Sequence, residues 1–160
     1  MEFFKELFQN KALIAAALAW LFAQLIKTVI CAVLSKKIQV ERLWGAGGMP
    51  SAHSSMVCAL AVSTARLYGA DSPIFALSLV LALVTIYDAM GVRREAGRHA
   101  KLLNRYLNEI EQEKADAEKE GDEETDFETI DLKELIGHTP PEVLGGILLG
   151  ILVGSIMPMA

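Results

Sequence analysis

The sequence predicts an all-α fold, an integral membrane helical bundle. Three observations carry that prediction. Hydrophobic residues make up 52% of the 160 positions, a large share for so small a soluble domain. They fall in long blocks, at 11–34, 53–68, 72–92 and 143–160, which are helical in length rather than strand-like. The charge is segregated between those blocks. Residues 107–134 hold 13 acidic and 3 basic side chains, so the remaining residues carry a net positive charge within a chain of net −5. About four transmembrane helices plus a cytosolic helix are expected. They form a single membrane domain, 1–160, with a flexible acidic insert at about 112–129.

Each element has a local reason. Phe3, Phe4, Leu7 and Phe8 recur at helical spacing with Lys5 and Glu6 opposite, which predicts a short helix lying in the membrane interface. Residues 11–34 are long enough to cross a hydrocarbon core at about 1.5 Å per residue. This span contains Gln24 and Lys27, one turn apart on one face. A lysine in such a segment is costly unless it snorkels or faces a polar cavity, and the sequence leaves both open. Residues 35–50 form a loop with Lys36, Lys37 and Arg42.

The segment 53–68 is short for a span. The one at 72–92 opens on Ser72-Pro73, a good helix start, and ends with Asp88, whose nearest basic neighbours are Arg93 and Arg94. Residues 92–120 read as a helix outside the membrane, strongly basic in its first half and acidic in its second. A short helix is expected at 130–136. The last block carries Gly145, Gly146, Gly150 and Gly154, which permit close helix approach. Lysines and arginines concentrate in the 35–50 and 93–142 loops, so that side is expected to be cytoplasmic, with both termini outside. Cys31 and Cys58 lie in apolar runs without metal-ligand spacing and read as packing residues.

The chemistry concentrates in two stretches. Gly47-Gly48-Met49-Pro50-Ser51-Ala52-His53-Ser54-Ser55 stands just before an apolar helix. Ser51 suits the cap, and the first-turn N–H groups with the positive helix end favour an anion such as phosphate. Gly137-His138-Thr139-Pro140-Pro141-Glu142 precedes the last helix. Four residues apart on a helix, His138 and Glu142 share a face, and a carboxylate there fixes the imidazole for work as nucleophile or base. Alternatively, the first stretch is a capped loop and the second merely caps its helix. Lys27, Arg42, Arg93 and Arg94 are candidate cations for the non-bridging oxygens of a phosphate. No metal or other cofactor is required by this set, and no nucleic-acid partner is expected.

Pro50-Ser51-Ala52-His53 followed by His138-x-x-x-Glu142-Val143-Leu144-x-Gly146 resembles the type 2 phosphatidic acid phosphatase and vanadium haloperoxidase superfamily. The wider set resembles its divergent membrane branch more closely. That set includes Ala23-Gln24 with Lys27, Tyr87-Asp88-Ala89, Gly91 to Arg94, Leu103-Asn104, and Leu132 to Val143. The resemblance implies a helical bundle that hydrolyses a lipid phosphate, a pyrophosphate or a small phosphate ester. It implies His138 as the phosphorylated nucleophile, Glu142 as its orienting group and His53 as the acid for the leaving oxygen. Ser51 and the Ala52 backbone would hold phosphate oxygens. Asp88, a charge within an apolar segment, is expected from its position to pair with a cation and to support the site. The sequence departs from the superfamily pattern in several places. Ala52 replaces a glycine, Glu142 replaces an aspartate, and Leu132 stands where an arginine is usual. The usual first motif, a lysine and an Arg-Pro pair, is absent. A membrane protein that binds or translocates a phosphorylated headgroup without hydrolysis is the alternative. A third reading is a structural membrane protein whose acidic loop recruits a partner.

Overall fold

A computed structural model describes residues 2–35, 48–118, 132 and 137–159. The described residues form six helices and no strand: α1 (Glu2–Gln9), α2 (Lys11–Ser35), α3 (Ala52–Tyr68), α4 (Pro73–Met90), α5 (Val92–Glu118) and α6 (Pro140–Ile156). Side chains cap three helix starts. The Asn10 side chain accepts from the Leu13 N–H at 3.0 Å. Ser51 accepts from Ser54 at 3.4 Å, and Ser72 accepts from Phe75 at 3.2 Å. Each satisfies a backbone donor that the helix cannot.

Helix α3 is the centre. It packs against α2, α4 and α6, while α1 touches only α2, and α5 touches only α4 among the helices. Helices α3 and α6 run parallel. The Ser51 N–H donates to the Glu142 carbonyl at 2.9 Å. From there Gly146 lies against the Ser51 carbonyl, Gly150 against that of Ser55, and Gly154 against that of Ala59. A glycine every fourth residue gives α6 one face without side chains, and the α3 backbone sits directly on it. Helix α2 runs antiparallel to α3. Ser55 Oγ donates to the Ala19 carbonyl at 3.1 Å, and Lys27 lies beside Gly48. The short turn through Gly69, with φ of 89°, brings α4 back antiparallel, where the Thr64 and Ser78 hydroxyls meet at 2.7 Å.

The interior is built from small residues. Ala12, Ala15, Ala16, Ala19 and Ala23 form the buried face of α2, and Ser54, Ser55, Ala59 and Ala61 are buried in α3. The large apolar residues point outward: Leu21, Phe22, Leu25 and Val29 on α2, Leu77, Val80 and Leu83 on α4, Leu148 and Leu152 on α6. A soluble domain buries such residues. A bundle solvated by lipid packs on small ones and presents the large ones to the acyl chains. Lys11–Val33 and the run opening at Pro73 are long and apolar enough to cross a membrane, each with mean hydropathy 2.0. Helix α6 is apolar but shorter, at 17 residues. Helix α3 has the same length and is the most enclosed of the four.

The last helix spans Pro140–Ile156 and so stops short of the end of the apolar block at 143–160. The two prolines occupy its first turn, where a missing N–H costs nothing. Helix α5 runs to Glu118, close to the expected 92–120 and into the first part of the acidic insert at 112–129, because glutamate, lysine, glutamine and alanine all favour helix. The rest of that insert, the 130–136 segment except Leu132, and Arg42 lie outside the described residues.

Candidate functional site

Parallel packing of α3 and α6 sets two helix N-termini side by side at one end of the bundle. His53 is in the first turn of α3, and His138 immediately precedes α6. Ser51 caps α3 and is fully buried. Its Oγ accepts from Ser54 N–H and from Ser54 Oγ, the latter at 3.0 Å. The N–H groups of Ala52 and His53 are the first two of the helix, where the helix itself supplies no acceptor. At α6 the Thr139 N–H donates to Glu142 Oε2 at 2.8 Å, one half of a capping box.

The same Glu142 oxygen lies 3.4 Å from His138 Nδ1. This is ion-pair distance, and the alignment falls short of a hydrogen bond. His138 is only 5% exposed. Burial, with the charges of Lys27 and His53, holds its pKa below 6.5, and Glu142 offsets this in part. The imidazole is therefore neutral at pH 7. With the proton on Nδ1, facing the carboxylate, Nε2 keeps its lone pair.

Lys27 comes from α2. It continues the alanine stripe of Ala15, Ala19 and Ala23 by one more turn and is 4% exposed. It faces the interior instead of snorkelling, and its charge acts on both His53 and His138. Gln24, one turn earlier, is also buried.

The α4–α5 junction closes another side. Arg93 Nε meets Asp88 Oδ2 at 2.6 Å, the pairing expected of a charge at the end of an apolar helix. Both charges bear on His53. The return segment crosses this junction. The His138 N–H donates to the Ala89 carbonyl at 3.0 Å. Gly137, with φ of 93°, lies so close to the Arg93–Arg94 backbone that any Cβ would collide with it. Arg94 is thus at the site's edge.

His53, His138, Glu142, Lys27, Asp88, Arg93, Arg94, Ser51 and Ala52 accordingly share one end of the bundle. Two contributors have no role assigned from sequence. Asn104 on α5 clamps Leu132, with Nδ2 donating to its carbonyl at 2.7 Å and Oδ1 accepting its N–H at 3.0 Å. This ties Leu132, which precedes His138 in the chain, to α5. Gly137 is the other, and its positive φ leaves no local signature beyond being glycine. Among the described residues, no group of three or more His, Cys, Asp or Glu side chains is placed to hold a metal.

The chain is 40% identical to the uncharacterized membrane protein YuiD of Bacillus subtilis (strain 168), over 95% of this chain and 96% of that one. No solved structure matches it. The sequence profile of the divergent PAP2 family matches residues 8–153, and the chain belongs to that family.

Proposed function

We propose that this is a multi-pass, membrane-embedded phosphatase-like protein that hydrolyses a lipid phosphate or pyrophosphate through a phosphohistidine. The observation that carries the reading is the convergence of a neutral, carboxylate-backed His138, His53 and a buried Lys27 at two adjacent helix N-termini. His138 Nε2 attacks phosphorus and forms an N–P bond. The P–O bond to the leaving group breaks, and His53 gives its proton to that oxygen. Water then loses a proton to His53, attacks phosphorus and breaks the N–P bond, which releases phosphate and restores both imidazoles. Lys27, Arg93, Arg94 and the α3 N–H groups stabilise the charge on the non-bridging oxygens. Arg42 is a further candidate for that role. The concentration of lysine and arginine in the loops flanking this end supports a cytoplasmic site.

Purified protein should release phosphate from such a substrate, vanadate should inhibit it, and His138→Ala should abolish turnover. Undiminished release by His138→Ala overturns the reading. One observation favours the alternative, a binder or translocator of phosphorylated headgroups. Leu132 takes the place of an arginine, and its backbone is committed to Asn104. That protein would bind phosphate without hydrolysing any ester.

A further inference from the structure

Helix α5 is divided lengthwise into three faces. Gly97, Ala100 and Asn104 form its buried face. Val92, Leu103, Tyr106 and Ile110 form an exposed apolar stripe. Arg94, Arg98, Lys101 and Arg105 form a basic stripe on a third side, and all but the half-buried Arg94 are exposed. Spacings of three, four, seven and eleven keep each stripe on one side of a helix. Arg98 pairs with Glu95 at 2.7 Å and Arg105 with Glu109 at 3.2 Å. Such exposed pairs hold their partners weakly, so these guanidinium groups can still exchange to phosphate.

The position of the helix identifies what meets these faces. Helix α5 follows α4 with only Gly91 between them, so it begins where the chain leaves the hydrocarbon. Tyr87 and Val92, on either side of the break, are both strongly exposed. An apolar stripe that starts at that boundary has acyl chains beside it. Cations on the opposite, polar side of a helix lying in the interface stand at headgroup depth, where long basic side chains reach lipid phosphates. Over residues 92–110 the chain carries five lysines and arginines against two glutamates, complementary to an anionic leaflet. Beyond Ile110 the sequence turns acidic, which ends the contact.

We propose that α5 lies along the surface of an anionic bilayer leaflet from Val92 to Ile110, its apolar stripe in the acyl boundary and its basic stripe on lipid phosphates. The helix is then a lipid-reading arm joined to the site through the α4–α5 junction that carries Asp88 and Arg93. This proposal stands whether or not the site hydrolyses anything.

Site-directed spin labelling of the full chain tests it. Cys31 and Cys58 are replaced by alanine, and single cysteines are introduced by Leu103→Cys, Ile110→Cys, Lys101→Cys and Arg105→Cys. Each protein is reconstituted in phosphatidylcholine vesicles with and without phosphatidylglycerol. With the anionic lipid, labels at 103 and 110 should show a severalfold higher ratio of oxygen to nickel-chelate accessibility than labels at 101 and 105. That contrast should shrink in neutral vesicles, and in the anionic ones the ratio at 103 and 110 should fall on combined Arg98→Gln, Lys101→Gln and Arg105→Gln substitution. Equal nickel access at all four positions overturns the proposal, as does a contrast indifferent to anionic lipid. Exclusion of both reagents at 103 and 110 also overturns it, because a protein partner or second copy would then cover the stripe.

Discussion

The Ser51 amide donates to the Glu142 carbonyl at 2.9 Å, and this bond fixes where the two histidine-bearing stretches meet. It is a backbone-to-backbone tie, so it leaves both side chains to other work. Ser51 caps α3, and Glu142 turns its carboxylate to Thr139 and His138. One residue thus joins α6 to α3 through its carbonyl and governs an imidazole through its side chain.

Glu142→Gln separates those tasks. Glutamine still accepts from the Thr139 N–H, so the helix start survives, at a loss of about 0.3–1 kcal/mol for the missing charge at the positive helix end. The charge opposite His138 Nδ1 disappears. If His138 is the nucleophile, kcat should fall by about 100-fold or more with KM little changed. Steady-state kinetics beside a thermal melt distinguish this from simple unfolding, which would lower both together.

The glycine face of α6 gives a contrast between neighbours. A Cβ at Gly150 would run into the Ser55 carbonyl and Cys58, whereas one at Gly145 would meet the Met49 Cε at 3.2 Å. Backbone cannot yield, but the end of a methionine can. Gly150→Ala should cost about 1–3 kcal/mol by forcing the helices apart. Gly145→Ala should be neutral or slightly stabilising, because alanine favours helix by about 1 kcal/mol over glycine. Melting temperatures in one detergent decide it, and equal effects would contradict the packing.

Burial keeps the folded-state pKa of His138 below the 6.5 of a free imidazole. The unfolded chain therefore takes up the proton first as pH falls. Whatever His138 contributes is fully present above about 6.5 and is lost progressively below it, toward the lower folded value. Stability should decline as the pH falls below about 6.5, and His138→Gln should flatten that decline. The substitution changes this one group, so the difference between the two melting curves isolates His138. An identical slope in the variant would mean that His138 is not held neutral.

Much of this was legible in the residues. The apolar blocks give α2 and α4, and the glycines of α6 announce close packing. His138 and Glu142 do meet, but His138 lies ahead of the Thr139 cap, so the carboxylate reaches back from the first turn of α6 to a residue outside the helix. Asp88 and Arg93 pair as close neighbours across a helix end should. Lys27 was ambiguous only while its turn was read alone. The alanines at 15, 19 and 23 mark the inward face, and position 27 continues it. The meeting of His53 with His138 has no local signal, because it depends on α3 and α6 packing in parallel. Asn104 is equally silent, since an asparagine on a polar helix looks solvated until its partner, Leu132, arrives from beyond the acidic stretch.

Asn104→Leu removes both hydrogen bonds to Leu132 at nearly constant volume. It leaves a half-buried N–H and carbonyl without their partner, which costs about 1–3 kcal/mol. The loss should be local. Amide exchange at Gly137 and His138 should accelerate, while exchange in the α3–α6 core stays as it was. Asn104→Asp keeps the acceptor for the Leu132 N–H and should fall between the two. Unchanged exchange at His138 in the leucine variant would show that the clamp does not position it.

Arg93 is both a candidate phosphate ligand and the partner of Asp88 at 2.6 Å, so the two roles compete. An anion entering the site must draw the guanidinium from its carboxylate or share it. The pair is part-exposed, 49% and 36%, and pairs of that kind are worth about 0–1 kcal/mol. Asp88→Asn removes the competitor and a negative charge that bears on His53. Inorganic phosphate or vanadate should then bind up to about fivefold more tightly, the equivalent of about 1 kcal/mol. Arg93→Gln should weaken the same binding and abolish the gain from Asp88→Asn. If Asp88→Asn instead weakens binding in titration calorimetry, the carboxylate is holding Arg93 in place for the anion, and Asp88 acts as a positioning group.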